Sequence, residues 1–128
     1  MGTRTGLEPR PVDDLREVDV GGWAGLSRSD VESRFPEAFR RWLDGGEGWE
    51  DGESYADMSA RVLAALTEVA ESHPGNEVLV VSHGGPIRAI QAAAAGMDVH
   101  AYRKQHRVEP NARLSKVAVE NGRITRLD

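Results

Sequence analysis

The sequence predicts an α/β fold, in which helices flank a sheet and a β-hairpin closes the chain. Three stretches predict it. The apolar, β-branched run Val78-Leu79-Val80-Val81 has the composition of a strand covered on both faces. Before it, Met58, Val62, Leu66 and Val69 recur on one helical face, and after it Gly84-Gly85-Pro86 opens another helix. Residues 54–95 thus read as a helix, strand, helix unit. Near the end, Asn121-Gly122 is the strongest short hairpin signal, and the runs Arg113 to Glu120 and Arg123 to Leu127 on either side read as its strands.

In chain order, Met1 to Asp14 read as the end of an early helix and the loop after it. Ser27 or Ser29 caps a short helix through about Phe35, with Asp30 and Glu32 in the first turn, where the dipole favours acids. Pro36 restarts the helix, and Phe39, Trp42 and Leu43 make an apolar stripe at helical spacing. That stripe is either core packing or a lid carrying aromatics to a substrate pocket. The adjacent Gly45-Gly46-Glu47-Gly48, read as a mobile loop, tilts the expectation slightly to the lid, and Trp49 can serve either purpose. Ser54 caps the longest helix, with Asp57 completing a weaker form of the capping box. Pro74-Gly75-Asn76 turns the chain into a strand over Glu77 to Ser82. Pro86 favours the first position of the next helix, where its missing N–H costs nothing, and Gly96 ends that helix.

Composition restricts the classes of function. With 39% hydrophobic residues and 14 glycines, a chain of 128 residues has the apolar content of one globular domain, so a core can form. No apolar run approaches the ~18 residues of a membrane span, and Met1 to Pro11 lacks the apolar core of a secretory signal. The absence of cysteine excludes disulfides and thiolate metal sites, and a soluble cytoplasmic protein is the expectation. A net charge of −5 disfavours general affinity for nucleic acid. The one basic run, Arg103, Lys104 and Arg107, reads as solvated surface or a loop near a phosphate.

The chemistry concentrates where the run Val78 to Val81 ends in Ser82-His83-Gly84-Gly85. Ligands of open α/β sheets bind at the carboxyl ends of strands, just before a helix N-terminus. Glycines at 84 and 85 let the backbone approach a ligand, and the unpaired N–H groups of the helix start would face an anion. His83 would touch that anion. As an isolated histidine it would more simply be satisfied by a loop carbonyl; its position at the strand end favours a functional role. His73, His100 and His106 lie among polar residues and read as surface histidines.

A second segment, Leu15-Arg16-Glu17-Val18-Asp19-Val20-Gly21-Gly22-Trp23-Ala24-Gly25-Leu26, taken with Ser82-His83-Gly84-Gly85, resembles the histidine phosphatase superfamily, the phosphoglycerate mutase-like enzymes. Trp42, Asp51-Gly52-Glu53-Ser54, Arg61, Asn111 and the closing hairpin match further positions, so the resemblance runs from about residue 5 to the C-terminus. It implies a phosphoglycerate mutase-like sheet flanked by helices, and a phosphomonoester hydrolase acting through a phosphohistidine on a small-molecule phosphate ester. It implies no metal and no cofactor. Glu17 would be the proton donor and His83 the second active-site histidine. The Gly84 amide and Arg16 would be phosphate contacts, although pairing of Arg16 with a neighbouring acid is the stronger expectation. By charge pattern alone, Glu17 would be one more solvated carboxylate in an acidic run.

The family's first strand ends in Arg-His-Gly, whose histidine is the nucleophile. No Arg-His-Gly occurs in these 128 residues. The expectation is therefore a single, partial domain over residues 1–128, truncated at the N-terminus with its first central strand missing and with little or no turnover by itself. The flank of Val78 to Val81 would be unpaired, and such an edge invites self-association or a complementing chain. Two alternatives remain: a non-catalytic phospholigand-binding module, and a structural remnant with no ligand. The short lid and the general look of the chain resemble the broad phosphatase branch of the family, which implies a phosphatase rather than a mutase.

Overall fold

The computed structural model describes residues 2–106 and 110–128. The elements are α1 (Gly2–Thr5), α2 (Arg28–Arg34), α3 (Pro36–Leu43), α4 (Tyr55–Ser72), α5 (Gly84–Ala94), α6 (Val99–Gln105), β1 (Val117–Glu120) and β2 (Arg123–Arg126). Single turns of 3-10 helix at Asp13–Leu15 and Gly21–Trp23 shape the long connection from α1 to α2. Met1 and Arg107, both named above, lie outside the described residues.

Local chemistry sets most boundaries. The Ser27 hydroxyl accepts the Asp30 amide while the Asp30 carboxylate accepts the Ser27 amide, a reciprocal box that starts α2. Pro36 occupies the start of α3. The Ser54 hydroxyl accepts the Asp57 amide at 3.0 Å and starts α4. At the other end of α5, the Met97 amide donates back to the Ala92 carbonyl at 2.9 Å. Asn121 (φ 51°) and Gly122 (φ 76°) both take the left-handed conformation that a two-residue hairpin turn requires. The register pairs Val117 with Arg126 and Glu120 with Arg123. Leu127 extends the pairing by one bond to the Lys116 carbonyl, so the strands are shorter than Arg113 to Glu120 and Arg123 to Leu127.

The core lies where α4 packs on α5. Met58 and Val62 of α4 are fully buried in one cluster with Ala89 and Ala92 of α5, whose small side chains let the helices approach. Tyr55 and Ala65 of α4, Val99 and Tyr102 of α6, Leu15 of the first 3-10 turn and Trp49 complete it, and the hairpin packs through β2 on α5 and through β1 on α4. Among the described residues, no helix is long and apolar enough to cross a membrane.

Four expectations are corrected. Residues 77–82 are not a strand: among the described residues none of them makes a backbone-to-backbone hydrogen bond, and the sheet is the two-stranded hairpin. Val78, Leu79 and Val81 are 45%, 58% and 62% exposed, and only Val80 packs on the core. A ladder needs a partner strand, and the described residues supply none. Secondly, α5 starts at Gly84, so Pro86 stands third in the helix rather than first. Thirdly, the aromatic stripe is core packing and not a lid: Phe39 and Trp49 are buried, Trp42 packs on the core and Leu43 points to solvent. The glycine loop beside it is close-packed, because a Cβ on Gly48 would strike the Trp23 ring and the Ala38 carbonyl. Finally, His100 is not a free surface histidine: its Nε2 lies 3.0 Å from Glu47 and its ring meets the Tyr55 ring edge-on at 5.7 Å.

Candidate active site

The loop carrying Glu17 has no regular structure beyond its 3-10 turns, and Arg61 of α4 holds it in place. Arg61 Nη1 donates to the carbonyls of Asp14 (2.7 Å) and Arg16 (2.9 Å), and Nη2 donates to that of Glu17 (3.0 Å). Its Nε and Nη2 also donate to the two carboxylate oxygens of Glu53 at 2.7 and 2.8 Å. All five guanidinium donors are spent. Glu53 in turn accepts the Asp19 amide at 3.3 Å, and its own amide donates to the Asp19 carbonyl at 2.7 Å. Arg61 and Glu53 are only 13% and 16% exposed, so this is an ion pair largely shielded from water. Hydrogen bonding from Arg61 holds the Glu53 carboxyl below its ordinary value and, reciprocally, raises that of Arg61.

So positioned, Glu17 meets the histidine turn across 68 residues of sequence. Its Oε1 accepts its neighbour Val18's amide at 2.8 Å, and its Oε2 accepts the Gly85 amide at 3.3 Å. A Cβ on Gly85 would meet the Glu17 carboxylate and press on the Met58 sulfur, so a larger residue there would displace the acid. The space expected for a ligand at Gly85 is therefore taken by the acid itself. The Ser82 hydroxyl donates to the Leu15 carbonyl at 2.7 Å, a second tie between the two segments.

The first turn of α5 has little hydrogen-bonding capacity left. Gly85 donates to Glu17, Pro86 has no N–H, and Ile87 donates to the His83 carbonyl at 3.0 Å. That leaves the Gly84 amide as the unspent donor among the described residues of that turn. Beside it His83 caps the helix with extended backbone (φ −120°, ψ 170°), is exposed, and its ring makes no hydrogen bond with a described residue. An imidazole and a free amide at a helix start form an anion cradle, with a carboxylic acid alongside.

Arg16 is half exposed, and its guanidinium lies 3.4 Å from both Asp13 and Asp14. His73 and His106 contact backbone carbonyls one turn earlier, and the His106 ring stacks on Tyr102 at 3.9 Å. Among the described residues, no three His, Asp or Glu side chains gather as metal ligands would.

Two further arginines, one on α5 and one on α6, are partly buried. Arg88 follows Gly84 by four residues on α5, and its Nε is buried with no hydrogen-bond partner among the described residues. Arg103, read above as solvated surface or part of a loop near a phosphate, stands in α6 and is half buried: its Nη1 donates to the Trp42 carbonyl at 2.9 Å, and its guanidinium lies 5.0 Å from the centroids of both the Trp42 and Tyr55 rings. The signal available in sequence was the helical spacing of Arg88 from Gly84. For Arg103 there was none, since the rings that hold it come from α3 and α4.

The profile of the histidine phosphatase superfamily (branch 1) matches residues 1–127. Phosphoserine phosphatase 1 of Hydrogenobacter thermophilus is 38% identical over 95 residues, which cover 73% of this chain and 45% of that protein. Glucosyl-3-phosphoglycerate phosphatase of Mycobacterium tuberculosis is 33% identical over 109 residues, covering 77% of this chain and 48% of that one. The chain spans about half the length of these relatives. Among solved structures, a mycobacterial glucosyl-3-phosphoglycerate phosphatase in complex with VO3 superposes with a TM-score of 0.80 at 28% identity, over 97% of this chain and 64% of that one.

Proposed function

Because the chain belongs to the histidine phosphatase superfamily, branch 1, we propose that it serves a phosphomonoester hydrolase in which these residues supply the acid and the second histidine. One observation carries this reading: Glu17, in an irregular loop, is brought against the His83-Gly84-Gly85 turn and bonded to its Gly85 amide. His83 and the Gly84 amide hold the phosphoryl oxygens. Arg16 joins them by exchanging its Asp13 and Asp14 partners for phosphate. A histidine nitrogen from an Arg-His-Gly segment, which residues 1–128 do not contain, attacks phosphorus. The P–O ester bond breaks, and the departing alcohol oxygen takes the proton of Glu17. Water then attacks phosphorus, its proton passes to Glu17, and the N–P bond breaks to release phosphate.

The relatives' names specify phosphoserine and glucosyl-3-phosphoglycerate, both phosphate esters of alcohols that also carry a carboxylate. A small acidic phosphate ester is accordingly the substrate class favoured for this chain.

Removing a covalent nucleophile costs several orders of magnitude in rate, while binding survives. The 128 residues are therefore expected to bind vanadate saturably, to lose that binding in His83→Ala, and to hydrolyse p-nitrophenyl phosphate barely above background. Robust hydrolysis that His83→Ala abolishes would place the nucleophile within these residues. Binding that neither Glu17→Ala nor His83→Ala alters would refute the site itself.

A further inference from the structure

Each carbonyl of the stretch Asp14 to Glu17 accepts from a side chain. Arg61 takes those of Asp14, Arg16 and Glu17, and the one it passes over, on Leu15, accepts the Ser82 hydroxyl at 2.7 Å. Leu15 is buried, so this acceptor is anchored in the core. A serine hydroxyl has one proton to donate, and Ser82 spends it on a partner 67 residues away rather than on its own stretch of backbone.

The donor stands at the end of a loosely held segment. Residues 77–82 make no backbone-to-backbone hydrogen bond among the described residues, and of their apolar side chains Val80 packs on the core while Val78, Leu79 and Val81 are exposed. Ser82 immediately precedes His83, and Leu15 stands two residues before Glu17, so the bond joins the two arms of the site next to both functional side chains. The other tie between them is the Gly85 amide on Glu17 Oε2, at 3.3 Å. That bond is made by the group which the proposed reaction protonates, and a neutral acid accepts an amide more weakly than a carboxylate does. The bond from Ser82 to Leu15 joins two uncharged groups and is indifferent to that proton.

We infer that Ser82 is a positioning residue: its hydroxyl, held by the Leu15 carbonyl, keeps the His83 turn at a fixed spacing from Glu17 while the charge on Glu17 changes. The inference rests on the phosphomonoester reading. It adds a residue that touches neither phosphate nor leaving group and acts through the placing of two that do.

Ser82→Ala and Ser82→Thr test it in the 128-residue chain, with vanadate as the probe. Misplacing a binding group by a fraction of an ångström is costly, so Ser82→Ala is expected to bind vanadate about tenfold more weakly, while Ser82→Thr, which keeps the hydroxyl, stays within about twofold of the unaltered chain. In amide NMR spectra the Gly85 proton should move toward the position of an unbonded amide in Ser82→Ala and return in Ser82→Thr, with the hairpin amides of residues 117–126 unmoved in both. Vanadate affinity and a Gly85 amide unchanged in Ser82→Ala overturn the inference. So does an equal loss in Ser82→Thr, which would make the shape of the side chain and not its hydroxyl the cause. Loss of the folded spectrum in Ser82→Ala would assign the bond to stability alone and overturn it too. If the unaltered chain fails to bind vanadate, or His83→Ala binds it equally well, the phosphomonoester reading is what has failed, and the Gly85 amide then decides by itself whether Ser82 sets the spacing.

Discussion

The loop of residues 13–21 and the segment of residues 77–82 carry Glu17 and lead into His83, and neither belongs to a helix or a ladder beyond two 3-10 turns. The first is fastened along its length: three of its carbonyls accept from Arg61, Asp19 bonds to Glu53 in both directions, and Leu15 is in the core. The second holds on through one side-chain bond, Ser82 to Leu15, and through Val80, with three large apolar side chains in water. Order in an irregular segment follows from saturated donors and buried anchors, not from repetitive backbone geometry. One arm of the site is thus specified within these residues, and the other lacks a cover that they provide.

The contrast can be broken most severely at Arg61. Arg61→Ala leaves Glu53 without its cation and three carbonyls bare, and is expected to lower unfolding free energy by about 3–5 kcal/mol in urea titrations. A loss below about 1 kcal/mol would show that the loop is held by something else. Acid should weaken the same clamp. Because Arg61 depresses the Glu53 value in the folded state, the pair's contribution is complete above the ordinary glutamate value of about 4.3 and disappears as pH falls through the lowered one. Melting temperature followed downward from pH 6 should therefore drop more steeply in the unaltered chain than in Glu53→Gln. The weakest perturbation belongs to the other arm. Leu79→Ser, at a side chain 58% exposed, should change stability by less than about 0.5 kcal/mol. It should nevertheless reduce association, since we propose that the bare segment pairs with a second copy or a complementing chain; a light-scattering mass of one chain before and after the change would refute that.

What was legible in the sequence was local. The Ser27 and Ser54 caps, the restart at Pro36 and the turn at Asn121-Gly122 depend on residues a few positions apart, and each stands where expected. Glu17, His83 and Gly84 were singled out, and the structure gathers them at one turn. Apolar composition marked Val78 to Val81 as a strand, but a ladder is a property of two segments, and its partner is not among the described residues. The aromatic stripe looked like a lid because glycines beside it suggested mobility; those glycines are there so that Trp23 and Lys104 can pack against bare backbone. His100 read as surface, and Arg103 as surface or a loop near a phosphate, because their partners, Glu47, Tyr55 and Trp42, lie 45 to 61 positions away.

The packing of the three tryptophans also decides what an optical experiment on this chain can see. Trp23 contacts Trp42 at 6.3 Å and Trp49 at 5.5 Å between ring centroids, and Trp49 contacts Tyr55 at 5.5 Å. Rings this close exchange excitation, so the emission of the whole molecule comes from one patch beside the loop and the start of α4. Fluorescence will follow that patch alone. It would register the melting of the fastened arm and stay blind to the hairpin and to residues 77–82, whose behaviour calls for backbone amide exchange instead.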